Sequence, residues 1–392
     1  MKFCAVPAAI FAAFLMAACS PAAPAAPEEA AETAAETAVP TPADGRAIVA
    51  DIGAINTPDG IEESYAVRIG GIDQWISVRG KDRNNPVILL VHGGPGSAEL
   101  AIGWTFQRGW EDYFTVVQWD QRGAGKTWSL NDPETVIPTL TVDRMTQDVV
   151  EMMEHVRQKL GKEKLILLGH SWGTIIGLKA AMARPDLVAA YVAHGQVINM
   201  QRNEEEGFRL TLAAAQTDGN AEAVAALEAL APYPGELTVA RIGDERTWSN
   251  HYGGLAAYRE NASAWFGAMR LSPDYDEAVL KNYDTGSLAS ITALIPELGR
   301  VNMDTVTESP VPVFLLHGRH DFTTPPAASL AWMEALKAPA KANYWFDHSA
   351  HLAFMEEPGK VLMTLVTCIR PYSMEPDIAA ARQSAAACVQ EG

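Results

Sequence analysis

The sequence predicts an α/β fold: a mostly parallel sheet with helices on both faces, interrupted by an inserted helical unit. Three observations carry this. From about residue 61 to 197, apolar runs of strand length alternate with helical stretches. The runs are continuously apolar, as expected of strands buried on both faces. The rhythm then stops between residues 198 and 309, where helices with scattered aromatics take over, and resumes from residue 310.

Each element has its own signal. "WISVRG" around Trp75 alternates like a strand, and "PVILLVHGG" (86–94) and "FTVVQWD" (114–120) are buried runs. Residues 143–160 place Met145, Val149, Met152, Val156 and Leu160 on one helical stripe. Asp148, Glu151, Glu154 and Arg157 fall mostly elsewhere, and Gly161 closes the helix. "KLILLGHS" is the next strand, followed by the helix "WGTIIGLKAAMARP", which stops at Pro185, and the strand "AAYVAHG" (189–195). The inserted unit holds "EEEGFRLTLAAAQTDGNAEAVAALEAL" and then Trp248, Tyr252, Tyr258, Trp265 and Phe266. After it come "VPVFLLHG" (311–318), the helix "PPAASLAWMEAL", the strand "KANYWFD" (341–347) and a last helix from Pro358.

The N-terminus reads as an export signal. Lys2 precedes a short apolar run ending in "LMAAC", which resembles a lipobox with Met16 in the usual leucine position. Lipidation of Cys19 would anchor the chain to a membrane, and plain secretion with cleavage at a small-residue site is the alternative. Residues 20–43, rich in Ala, Pro, Glu and Thr, read as a solvated linker. The expected organisation is a signal (1–19), the linker (20–43), a first core part (44–197), a helical cap (198–309) and a second core part (310–392), in the cell envelope. Cys368 and Cys388, twenty residues apart, suit a disulfide in an oxidising periplasm, with two free thiols as the alternative.

A net charge of −18, from 30 basic and 48 acidic residues, argues against nucleic acid as a partner. The expected partner is a small peptide or other small molecule.

The chemistry centres on Gly169-His170-Ser171-Trp172-Gly173, a G-x-S-x-G placed between a strand and a helix. Such a turn lifts the serine hydroxyl clear of the sheet and sets it at a helix N-terminus, where developing negative charge is favoured. A nucleophilic serine needs a base and an orienting acid. Asp321 and His351, in the loops after two later strands, arrive in the acid-then-histidine order that this turn requires. His348 competes with His351 but continues directly from its strand, and His170 reads as a support residue. "HGGPG" (92–96) frees backbone N–H groups, so Gly94 and Trp172 are the expected oxyanion donors.

Two decoys fail. The pairs His317/His320 and His348/His351 suggest zinc, but the H-E-x-x-H pattern is missing and the triad uses the same loops, so no metal is expected. "DQRGAGKT" has Asp120 where a phosphate-binding loop needs glycine. No cofactor is expected.

Together, "HGGPG", "WDQRGAGKT", "GHSWGT", "HGRHD" and "HSAHLAFMEEP" resemble α/β-hydrolases of the proline iminopeptidase family. The resemblance covers roughly residues 61–197 and 310–370. It implies a triad of Ser171, Asp321 and His351, an oxyanion hole of Gly94 and Trp172, and a cap formed by residues 198–309. The chain departs from the pattern at Thr127, where serine is usual, and in the cap, which lacks the family's Trp-Glu pair. Members of the family set cap carboxylates against the substrate amine. Glu204, Glu205 and Glu206 are the nearest candidates, with Glu204 first, and a solvated acidic helix start is the alternative for each. The expected function is a serine hydrolase releasing N-terminal proline from peptides. The rivals are an esterase or amidase with the same triad, and a non-catalytic binding protein on the same scaffold.

Overall fold

The computed structural model describes residues 41–385 and Cys388. The expected export signal, Cys19 and all but the end of the expected linker lie outside these residues. The first described element was not foreseen: helix α1 (Pro42–Gly53) begins where the linker was expected to end. Thr41 caps it, accepting from the Asp44 N–H while the Asp44 carboxylate accepts from the Thr41 N–H. Arg46 fastens α1 to the inserted unit, donating to the Arg270 carbonyl at 3.1 Å and to Glu277 at 2.9 Å.

Eight strands form one sheet: β1 (Ile61–Ile69), β2 (Ile72–Gly80), β3 (Val87–Val91), β4 (Thr115–Asp120), β5 (Leu165–His170), β6 (Val188–His194), β7 (Val313–Gly318) and β8 (Lys341–Phe346). Their order is β1-β2-β4-β3-β5-β6-β7-β8. β1 and β2 pair antiparallel, as do β2 and β4, and the other neighbours are parallel. The chain therefore reverses its direction of sheet growth beside β3 and β5, and in open parallel sheets ligands bind at the carboxyl ends near such a point.

Strands β3 to β7 are buried on both faces. Leu89 and Val91 face one core with Val117, Leu167 and Leu315, while Ile88 and Leu90 face the other with Val116, Leu168 and Leu316. Helix α2 (Val142–Leu160) lays Met145, Val149, Met152 and Val156 into the first core and ends at Gly161, whose φ is 64°. Asp148 corrects the sequence reading, since it is fully buried rather than on a polar face. It accepts from Arg122 of the "DQRG" loop at 2.8 and 3.1 Å, a nonlocal pairing that helical periodicity does not register.

Helix α3 (Trp172–Ala183) follows β5 directly. Between β6 and β7 the chain forms helices α4 (Met200–Asp218), α5 (Ala221–Glu228), α6 (Val239–His251) and α7 (Glu277–Leu298). The two ends of this insertion are joined by a bridge between Asn199 and Asn302. Helices α8 (Pro326–Ala335) and α9 (Pro358–Thr364) complete the sheet domain. Cys368 and Cys388 form a disulfide with Cα atoms 5.4 Å apart. Among the described residues no helix is long and apolar enough to cross a membrane.

Candidate active site

Ser171 sits between β5 and α3 with φ 52° and ψ −121°, one of two described non-glycine residues at positive φ. Such a conformation is costly for a residue with a side chain and persists only where its surroundings enforce it. Here they do: the Ser171 N–H donates to the His194 carbonyl at 2.9 Å, and a side chain at Gly173 would overlap the Val91 carbonyl. The turn leaves Ser171 partly exposed while Trp172 opens α3. Gly94 lies in the loop after β3 at φ 112°, and that loop packs so closely that a Cβ on Gly93 would lie 3.2 Å from the Ser171 Cβ. The two expected oxyanion donors therefore stand on the two elements that flank the serine.

Asp321 and His351 are brought together as expected. Asp321 Oδ2 accepts from His351 Nδ1 at 2.9 Å, and the same carboxylate accepts from the Thr324 N–H and hydroxyl, each at 2.7 Å. Burial acts to raise the Asp321 carboxyl, but His351 and Thr324 outweigh it and hold it below the usual range. Burial pushes the His351 imidazole down; Asp321 opposes that, while His170 and Arg246 add to it. His351 is thus neutral at rest, with its Nδ1 proton held by Asp321. Gly195, at φ 65°, lets the ring in, since a Cβ there would lie 3.2 Å from His351 Cε1.

The other histidines take different places. His348 and His320 both meet the Tyr258 hydroxyl, at 3.5 and 3.0 Å, and His317 meets Asn343 at 3.2 Å. His170 lies under the serine turn, with one ring nitrogen on Glu99 and the other 3.0 Å from the His351 carbonyl oxygen. Its ring stacks on that of His194 and meets that of His351 at a 38° tilt, with centroids 4.7 Å away in both cases.

The inserted helices reach this site in two ways. A backbone segment after α6 grips both triad loops: the Gly254 carbonyl accepts from the Phe322 N–H and the Leu255 carbonyl from the His351 N–H, each at 3.1 Å. Glu356 ties the same segment down, accepting from the Ala257 N–H at 2.6 Å and the Ala350 N–H at 2.8 Å. The second is a charge cluster within the insertion, whose Arg246 acts on His351 through its field. Glu204 of α4 is fully buried, accepting from Arg246 at 2.5 Å and from the Tyr233 hydroxyl at 2.6 Å. Arg246 also pairs with Glu245, which is fully buried and accepts from Thr211 at 2.8 Å. Burial alone would lower the Arg246 guanidinium, but the two carboxylates hold it well above its ordinary value. Glu205 is corrected here: it is exposed, and Glu206 pairs with Arg209, so only the first of the three expected glutamates is buried with this cluster.

A family model described as the α/β-hydrolase fold matches residues 86–358. The chain belongs to the α/β-hydrolase family. It is 28% identical over 298 residues to a probable aminopeptidase, YbaC, of Bacillus subtilis, an alignment covering 76% of this chain and 93% of that one. It is 27% identical to a proline iminopeptidase of Neisseria gonorrhoeae, covering 73% and 89%. Among solved structures, the Mycobacterium smegmatis proline iminopeptidase superposes with a TM-score of 0.55 at 17% identity, covering 83% of this chain and 100% of that one, which shows the shared fold.

Within this α/β-hydrolase the "DQRG" motif serves as a lock. Gln121 takes the Trp172 indole N–H at 3.1 Å and donates to the His92 carbonyl at 2.8 Å, joining the serine turn to the loop after β3. The Thr127 hydroxyl donates to the Asp120 carbonyl and accepts from the Trp75 N–H. Glu99, Glu245 and Arg246 were missed by sequence reasoning. Each looks like an ordinary solvated charge in its local context, and only the partner far along the chain marks it.

Proposed function

We propose that this α/β-hydrolase is a serine aminopeptidase that releases N-terminal residues, with proline preferred, through an acyl-enzyme. Ser171 Oγ attacks the carbonyl of the first residue while His351 Nε2 takes its proton, and Asp321 stabilises the resulting imidazolium. The Gly94 and Trp172 N–H groups receive the oxyanion at the start of α3. His351 returns the proton to the leaving amine, and water then cleaves the ester by the same steps reversed.

The observation that carries the peptidase reading is the charge of the inserted helices, which act as a cap. Two fully buried carboxylates, Glu204 and Glu245, share a single guanidinium, Arg246, whose field reaches His351. That leaves one negative charge unbalanced in a desolvated place, and a substrate α-ammonium is the cation that fits. A charge-assisted contact there is worth about 1.5–3 kcal/mol. A small apolar acyl ester is the second reading, favoured by Arg246 already occupying Glu204. The Cys368–Cys388 disulfide and the signal-like N-terminus support the reading of an oxidising cell-envelope compartment, with Cys19 as the proposed lipid site.

A panel of proline arylamides with free and acetylated N-termini, run beside short nitrophenyl esters, tests this. Cleavage of the free-amine arylamides alone is the expected result. Ester cleavage without arylamide cleavage selects the second reading.

A further inference from the structure

Both ring nitrogens of His170 face acceptors: Nδ1 lies against Glu99 Oε1, and Nε2 lies 3.0 Å from the His351 carbonyl oxygen. A neutral imidazole carries one N–H and would set a lone pair against one of these oxygens. With Glu99 ionised, two acceptors require two protons on the ring, which is then an imidazolium balanced by the carboxylate. Both groups are buried, at 4% and 7% exposure. Burial opposes charge on each, yet their mutual attraction prevails, raising the imidazole and lowering the carboxyl.

The pair connects the parts of the site. Glu99 Oε1 also accepts from the Gly93 N–H at 3.2 Å, next to Gly94. His170 adjoins Ser171 in sequence and holds the backbone of residue 351. One ion pair therefore links the oxyanion loop, the serine turn and the histidine loop.

We propose that Glu99 and His170 are a positioning pair, which keeps Gly94 and His351 in register about Ser171 and uses its fixed cation to keep the resting His351 ring neutral. This rests on the serine-hydrolase reading given above. The groups facing His170 are Glu99, His92 at the end of β3, His194 of β6, and His351 and Asp321 from the loops after β8 and β7. Those facing His351 are Asp321, Thr324, His170, His194 and Arg246 of α6. His92 is neutral, its Nε2 accepting from the Gln121 N–H at 3.1 Å, so it does not compete for the Glu99 charge. Among these neighbours, His170 and Arg246 are the cations that disfavour a proton on His351, and the His170 ring centroid lies 4.7 Å from that of His351, the rings tilted by 38°.

The test uses a nitrophenyl ester and the rate of fluorophosphonate labelling, so that it does not depend on peptide specificity. His170→Gln is expected to lower kcat/KM on the order of 10–100-fold. It should also move the acid limb of the kcat/KM profile upward by about 0.5–1 pH unit, because His351 then protonates more readily. Glu99→Gln should lower kcat/KM similarly. Imidazole nitrogen NMR of the unaltered enzyme should show both His170 nitrogens protonated at neutral pH. An acid limb unmoved in His170→Gln, or a neutral His170 ring in the spectrum, overturns the proposal. If the unaltered enzyme takes no fluorophosphonate label, the hydrolase reading has failed, and the spectrum alone then decides the charge of the pair.

Discussion

In the sheet domain Glu99 faces His170, and Asp148 faces both Arg122 and Arg144, so each of these acids has at least one cation, whereas on the inserted helices Glu204 and Glu245 share Arg246. The matched pairs fix loops that must not move: Arg122 is fully buried and also donates to Thr139 and to the Gly70 carbonyl. A matched buried pair adds rigidity without attracting a further ion. An unmatched one stores a preference for a cation. The contrast separates buried acids that are matched, which hold a geometry, from buried acids that outnumber their cation, where the proposed amine contact would form.

The largest test of that division removes the centre of the rigid part. Ser171→Ala should lower turnover on the order of 10⁴-fold or more and abolish fluorophosphonate labelling, with circular dichroism unchanged. Residual labelling at another serine would move the centre elsewhere. Next, Glu204→Gln or Glu245→Gln should cost on the order of 10–100-fold in kcat/KM on free-amine arylamides, or about 1.5–3 kcal/mol, with much less loss on esters. Equal losses on both substrate types would mean that these glutamates only hold the helices together.

Acid should then act on the rigid part through its neutral histidines. Burial pushes His92 and His317 down to about 4 and His194 well below its ordinary value. Their unfolded forms take up protons near pH 6.5 while the folded forms do not, so stability falls as pH drops from about 6.5 toward 4. His170 carries the opposite sign: its folded value is raised, so its contribution persists in acid and fades as pH rises through that raised value. Denaturant unfolding across this range should show net proton uptake on unfolding, and flat stability down to pH 4 would contradict the burial of three neutral rings. The smallest effect on activity should come from Cys368→Ala with Cys388→Ala, which leaves kcat/KM unchanged while unfolding free energy falls by about 3 kcal/mol.

The sequence made the rigid part legible where the chemistry follows chain order. Ser171, Asp321 and His351 each stand just after an apolar run, so the strands announce them. The apolar stripe on α2 was equally plain, because periodicity reports which side of a helix avoids water. Buried charge leaves no such trace. Asp148 sits on a helix among other acids and looks solvated, and nothing local to Glu99 or Arg246 names His170 or Glu204 as the partner. Helix α1 was hidden for a related reason: the composition just before it is that of a linker, and its docking rests on Arg46 reaching residues beyond 269.

The grip of Gly254 and Leu255 on the amides of Phe322 and His351 bears on how such enzymes diversify. A hydrolase is often imagined as a fixed engine beneath an exchangeable lid. Here two backbone carbonyls of the lid belong to the engine's own frame, so a graft that replaces residues 198–309 must bring equivalent acceptors to those amides. A graft that keeps residues 254 and 255 in place retains both contacts whatever helices it carries on either side.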